Sequence, residues 1–265
     1  MRDSTRPFAP WTTTPSSSVS LFPPLVSTLE GSFLMPPPSF VHSFTLLDEP
    51  HVSTSQVLPF SAGFETGPGG PAYDDRQVFA FHHYCPTVDA GGSPSNEFYC
   101  DWFADRSIET RVVDSERLGG GSFLTEWGVF ATDAPALNEL ATISALADKF
   151  LLSWAHWAYD TIGRLQLQNY LTNTYTRSTA GNPVSMEFDP ATASFQYVYS
   201  ASEATTNSET EIYLHESLWY PGGYTVTIHP PTAGRWTRAR ENIIVVTQAA
   251  DVSDGSIVTV TIKRV

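Results

Sequence analysis

The residues best suited to chemistry lie in Leu124-Thr125-Glu126-Trp127-Gly128. A carboxylate ending an apolar run, flanked by an aromatic ring and a glycine, is expensive to bury without hydrogen-bond partners. It is well suited to attack an electron-poor carbon or to stabilise a cationic transition state. Taken alone, such a segment equally describes a structural glutamate. Two further clusters change the reading. Upstream, Phe81-His82-His83-Tyr84-Cys85-Pro86 places His82 and Tyr84 two apart, which on a strand puts both side chains on one face. A tyrosine hydroxyl there can donate to the carboxylate of Glu126 and favour its charged form. Downstream, Ser153-Trp154-Ala155-His156-Trp157 supplies two indoles, Trp157 and Trp154, and a flat ring is a natural floor for a sugar.

Positioning these groups requires α/β architecture. Val78–Tyr84 and Gly121–Trp127 read as short buried strands, as does the run of residues 151–159. Between the last two, Asp133 can cap a helix, Pro135 suits its first turn, and Leu137, Leu140, Ala141, Ile143, Ala147 and Phe150 recur at spacings of three and four. Strands alternating with a helix imply a parallel sheet whose reactive residues gather at the C-terminal ends of its strands. From about residue 183 the pattern changes to period two, at Ser194–Tyr199, Glu211–Leu214, Tyr224–Ile228, Asn242–Val246 and Ile257–Ile262, with turn residues between. That spacing predicts a β-sandwich. Residues 1–44 are rich in Pro, Ser and Thr and are expected to be an irregular leader. The expected organisation is therefore a leader over 1–44, α/β material over 45–178 and a sandwich over 179–265.

Composition sets limits on partners. The chain has 265 residues, 41% of them hydrophobic and 16% charged, which suits a packed core. Aromatics reach 13%, which serves either core filling or carbohydrate contact. A formal net charge of −14 argues against nucleic acid and against simple docking on an anionic bilayer. No metal-binding spacing is visible, no cofactor is implied, and no apolar run is long enough for a transmembrane helix. The two cysteines, Cys85 and Cys100, could form one disulfide or remain two buried thiols. The N-terminus shows no signal-peptide pattern.

The succession FHHYCP, LTEWG, SWAHWAYD resembles glycoside hydrolase family 5, and more narrowly its endoglycoceramidase branch. The stretches NPVSMEFDPATASFQYVY and WYPGGYTVTI are similar to the C-terminal sandwich of those enzymes, and FETGPGG to a loop preceding the tyrosine strand. The resemblance implies part of a TIM (β/α)8 barrel followed by an all-β sandwich domain. It implies a retaining glycosidase that cleaves between oligosaccharide and ceramide of a glycosphingolipid, with peripheral contact to membrane lipid. Carried over by position, Glu126 is the nucleophile, Tyr84 its hydrogen-bonding tyrosine, His82 the histidine of that strand, and Trp157 the substrate platform, with Trp154 a second candidate. Cys85 and Cys100 become a disulfide near the site's rim, and the implied location is extracellular or lysosomal. Position 83 carries His where relatives have Tyr, and Trp127 stands in place of Phe. The resemblance also implies an acid/base glutamate in an Asn-Glu-Pro motif, which this chain lacks. Asp48-Glu49-Pro50 is similar instead to the sixth-strand segment, so Glu49 is not assigned that role. The expectation is a chain carrying the C-terminal part of the barrel without its acid/base. Other family 5 substrates, or an inactive glycolipid-binding fragment, remain the alternatives.

Overall fold

The computed structural model describes residues 45–48, 65–67, 69–158, 165–202 and 209–265. The expected leader and Glu49 lie outside them, as do Phe64 and Pro68 of the FETGPGG stretch.

Four parallel strands form the first sheet in sequential order: β1 (Thr45–Asp48), β2 (Gln77–His83), β3 (Gly121–Trp127) and β4 (Ser153–His156). Parallel neighbours require crossovers, here supplied by two helices. Helix α1 (Glu97–Leu118) joins β2 to β3, and α2 (Ala134–Lys149) joins β3 to β4. Asn96 caps α1 by accepting from the Tyr99 amide, and Gly119 ends it in the left-handed conformation. Asp133 caps α2 from the Ala136 amide at 3.2 Å, as the sequence predicts. Both helices cover one face of the sheet. Phe79, Phe81, Leu124 and Trp127 pack there with Ala104, Ile108, Leu140 and Ile143. Burying each large apolar side chain contributes about 1.5–3 kcal/mol.

After a short helix α3 (Leu165–Leu171) the chain forms two antiparallel sheets. One has the order β10-β11-β8-β5, the other β6-β7-β12-β9. Their strands are β5 (Tyr175–Ser178), β6 (Gly181–Asp189), β7 (Ser194–Ala201), β8 (Glu209–Tyr213), β9 (Tyr224–His229), β10 (Gly234–Arg240), β11 (Ile243–Gln248) and β12 (Ile257–Arg264). A helical turn, α4 (Glu216–Trp219), lies between β8 and β9. Alternate residues of three strands fill the core: Phe195, Tyr197 and Tyr199 on β7; Ile244 and Val246 on β11; Val258, Val260 and Ile262 on β12. The fold is thus part of a parallel α/β barrel sheet followed by an all-β sandwich. Because β5 pairs with β8, sandwich structure begins before the expected boundary at 178/179.

Several contacts fasten the two parts together. Trp219 Nε1 donates to the Thr172 carbonyl at 2.8 Å, and Thr174 Oγ1 bonds the Tyr220 hydroxyl at 3.0 Å. Asp148, in the last turn of α2, accepts a hydrogen bond from the Phe188 backbone amide of β6. Burial, reinforced by the nearby charge of Glu187, pushes the Asp148 carboxyl up to about 8. The folded chain therefore holds this proton more tightly than the unfolded one. The stability it contributes is full below the ordinary carboxyl pKa of about 4 and is lost as pH rises towards 8. Melting temperatures measured from pH 5 to pH 8 should fall with rising pH, and Asp148→Asn, neutral throughout, should flatten that slope and melt higher at pH 8.

Candidate active site

Glu126 owes its position to an irregularity in β3. Along β2, Gln77, Phe79, Phe81 and His83 are buried, and Phe79, Phe81 and His83 pack under the helices. A regular partner strand would place Leu124 and Glu126 on one face, since strand side chains alternate. Instead the buried residues of β3 are Leu124 and Trp127, three apart. The register shows why. Phe81 pairs with Leu124, but His82 pairs with Glu126 and His83 with Trp127, so Thr125 is an extra residue. The pairing with β4 shifts at the same place, between Leu124 and Trp127. This bulge turns Glu126 onto the face of His82 and away from the helices.

On that face the predicted trio assembles. His82 Nδ1 lies 3.4 Å from Glu126 Oε2, and the Tyr84 hydroxyl donates to the same oxygen at 3.5 Å. Side chains are 15% exposed at His82 and 32% at Glu126, so the carboxylate is open to a ligand. Burial raises the Tyr84 hydroxyl well above the usual phenol range, and the neighbouring Glu126 charge and hydrogen bond raise it further. Tyr84 is therefore a protonated donor at any physiological pH.

The two tryptophans separate. Trp157 follows β4 and is 46% exposed; its backbone amide donates to the Trp127 carbonyl at 2.8 Å, across the ladder from the strand of Glu126. Gly128 permits this approach, because a Cβ there would stand 2.4 Å from the Trp157 carbonyl oxygen. Trp154 is not brought to Glu126. It pairs with Leu124 on the helix-covered face and meets Trp127 edge-on, ring centroids 5.0 Å apart. Period two along β4 puts Trp154 and His156 on that face together, both meeting Trp127 edge-on.

Further residues frame the site, among them the cysteine pair that the resemblance implied to be bonded. Cys85 and Cys100 are disulfide-bonded, Cα atoms 5.1 Å apart, tying the end of β2 to the first turn of α1. The enclosed loop is stiffened by Asp89, which accepts from the Gly91 and Ser93 amides at 2.8 and 3.0 Å. Its Gly92, at φ 79°, presses on Phe130, which is 63% exposed and stacks on Tyr84 at 6.0 Å. Beneath the sheet His83 faces the helices: Nδ1 lies 2.9 Å from Ser107 Oγ and Nε2 3.6 Å from Glu139 Oε1. His83 thus occupies a buried polar niche, apart from the site face. Among the described residues no group of three or more His, Cys, Asp or Glu is arranged to hold a metal ion. No described helix is long and apolar enough to cross a membrane.

Residues 174–262 match the glycoside hydrolase family 5 C-terminal domain. The chain is 28% identical over 207 residues to an endoglycoceramidase of Cyanea nozakii, covering 70% of this chain and 38% of that one. It is 30% identical over 188 residues to an endoglycoceramidase of Hydra vulgaris, covering 64% and 33%. The chain therefore spans between 33% and 38% of these curated relatives. Among solved structures, the lactosyl-enzyme intermediate of endo-glycoceramidase II from Rhodococcus sp. superposes with a TM-score of 0.65 at 20% identity, covering 84% of this chain and 49% of that one. Sterylglucosidase 1 of Cryptococcus neoformans superposes with a TM-score of 0.53 at 12% identity, covering 71% and 38%.

Gly128→Ala should force the Trp157 peptide away from β3, at a cost of about 1–3 kcal/mol. Thermal unfolding reads that loss, and acrylamide quenching of tryptophan fluorescence reads the displaced indole. Unchanged stability and quenching would show that the close approach is dispensable.

Proposed function

We propose, on the premise that this chain is endoglycoceramidase-like and carries a glycoside hydrolase family 5 C-terminal domain, that Glu126 is the nucleophile of a retaining glycosidase. The observation that carries the reading is the bulge-directed placement of an accessible carboxylate within reach of both His82 and Tyr84. The carboxylate attacks the anomeric carbon of a β-glycoside, the glycosidic bond breaks, and the aglycone oxygen leaves with a proton from a general acid. Water then cleaves the glycosyl–Glu126 ester. Tyr84 and His82 orient the carboxylate before attack, and Trp157 offers an indole face to a sugar ring. The substrate class is a glycosphingolipid, cleaved between oligosaccharide and ceramide; the names of the sequence relatives support it. The Cys85–Cys100 disulfide supports an extracellular or lysosomal setting. The sandwich, fastened to α2 through Asp148 and to α3's exit through Trp219, supports the sheet.

A retaining mechanism uses a second carboxyl about 5–5.5 Å from the nucleophile. The sequence assigns none, so the first test avoids the need for one. A 2-deoxy-2-fluoro-lactosyl fluoride carries a leaving group that departs without protonation. Intact mass spectrometry should show one fluorolactosyl adduct, mapping to Glu126 and absent in Glu126→Gln. An adduct elsewhere, or none, would overturn the assignment. Release of intact oligosaccharide from a purified ganglioside then tests the lipid substrate. Tyr84→Phe should slow adduct formation about 10–100-fold, the worth of one hydrogen bond to a charged group.

A further inference from the structure

The bulge in β3 needs something to hold it. Sheet ladders favour regular pairing, and a one-residue slip moves every following side chain to the opposite face. Here a slip would carry Glu126 under the helices and Trp127 out of its core position. Apolar burial of Leu124 and Trp127 opposes that slip from the helix side. On the ladder itself, a side-chain to backbone hydrogen bond stands at the shift. The Thr125 hydroxyl donates to the Phe81 carbonyl at 3.2 Å, bridging β3 to β2 where the register changes. Thr125 is the extra residue, and Phe81 is the last β2 residue before the shift.

We propose that Thr125 is a positioning residue for Glu126, its hydroxyl bond to Phe81 holding the extra residue that keeps the carboxylate on the His82 and Tyr84 face. This deepens the reading of Glu126 as nucleophile and rests on it for its catalytic consequence. Thr125 touches no substrate in this role. It acts through the backbone, so its removal should alter how often Glu126 is correctly presented and leave sugar binding largely intact. A misplacement of about 1 Å at a reacting group lowers rates by as much as 10²-fold.

Two measurements read the geometry and the catalysis separately. Both cysteines of the chain are disulfide-bonded, so Glu126→Cys introduces the sole thiol. Its reactivity with iodoacetamide should fall at least about tenfold when Thr125→Val is added, and should persist with Thr125→Ser, which keeps the hydroxyl. Equal reactivity in all three backgrounds, with circular dichroism and melting showing folded protein, would overturn the proposal. This arm reads the direction of side chain 126 without any catalysis. In the second arm, with Glu126 intact, Thr125→Val should slow formation of the fluorolactosyl adduct at saturating reagent at least about tenfold, leave half-saturation unchanged, and be rescued by Thr125→Ser. If the threonine were purely stabilising, Thr125→Val would lower the melting temperature and leave that rate alone, which also overturns the proposal. Failure of the unsubstituted chain to form an adduct would count against Glu126 as nucleophile, while the thiol comparison would still decide the role of Thr125.

Discussion

The arrangement at the end of the parallel sheet depends on one conflict in β3, between strand alternation and the places its side chains must go. Leu124 and Trp127 both belong to the helix-covered core, yet they are three residues apart. A regular strand can bury only one of them on that side. Inserting Thr125 as an unpaired residue satisfies both, and the carboxylate between them is expelled to the other face. Exposure of Glu126 is thus a by-product of packing: two large apolar side chains, worth several kcal/mol together, hold the residue between them on the open face.

Around that point the supports are layered. Strand β2 and the residue after it contribute to both faces: His82 and then Tyr84 on the open side, His83 on the helix side, where Ser107 and Glu139 provide polar company for a ring buried against Phe103. The loop after β2 returns to α1 through the Cys85–Cys100 bond and leans through Gly92 on Phe130, which in turn leans on Tyr84. At the far side, the sandwich grips the end of α2 and the exit of α3 by hydrogen bonds. The polar groups of the site therefore sit on strands braced from both ends, which favours a fixed geometry over an adjustable one.

Much of this was readable in the residues. The boundaries of β3 and the cap of α2 follow from glycine punctuation and from Asp133 with Pro135. Five sandwich strands announce themselves by alternation, and the shared face of His82, Tyr84 and Glu126 follows from period two once the bulge is allowed. What escaped has physical reasons. Helix α1 buries Arg111, Asp114 and Ser115 beside Phe103 and Ile108, so its apolar stripe is diluted with charge. Strand β10 is exposed along nearly its whole length, and β6 buries little beyond Phe188, so neither alternates. Trp154 and Trp157 are indistinguishable as residue types; Trp154 lies within β4 and turns to the core, while Trp157 follows the strand and is exposed. The bulge itself left a trace in the unequal spacing of Leu124 and Trp127, which a strand of known boundaries would have exposed.

The absent side chain at Gly128 has a mechanical consequence. With the Trp157 peptide seated directly against this position, the strand bearing the carboxylate and the peptide bearing the indole are coupled through backbone contact. A ring settling on Trp157 would push on the same backbone that sets the height of Glu126. The distance between the Trp157 ring and the Glu126 carboxylate is then set by the scaffold, through van der Waals contact between two backbones. The strands can twist or breathe, but the spacing along which a sugar would be measured travels with them.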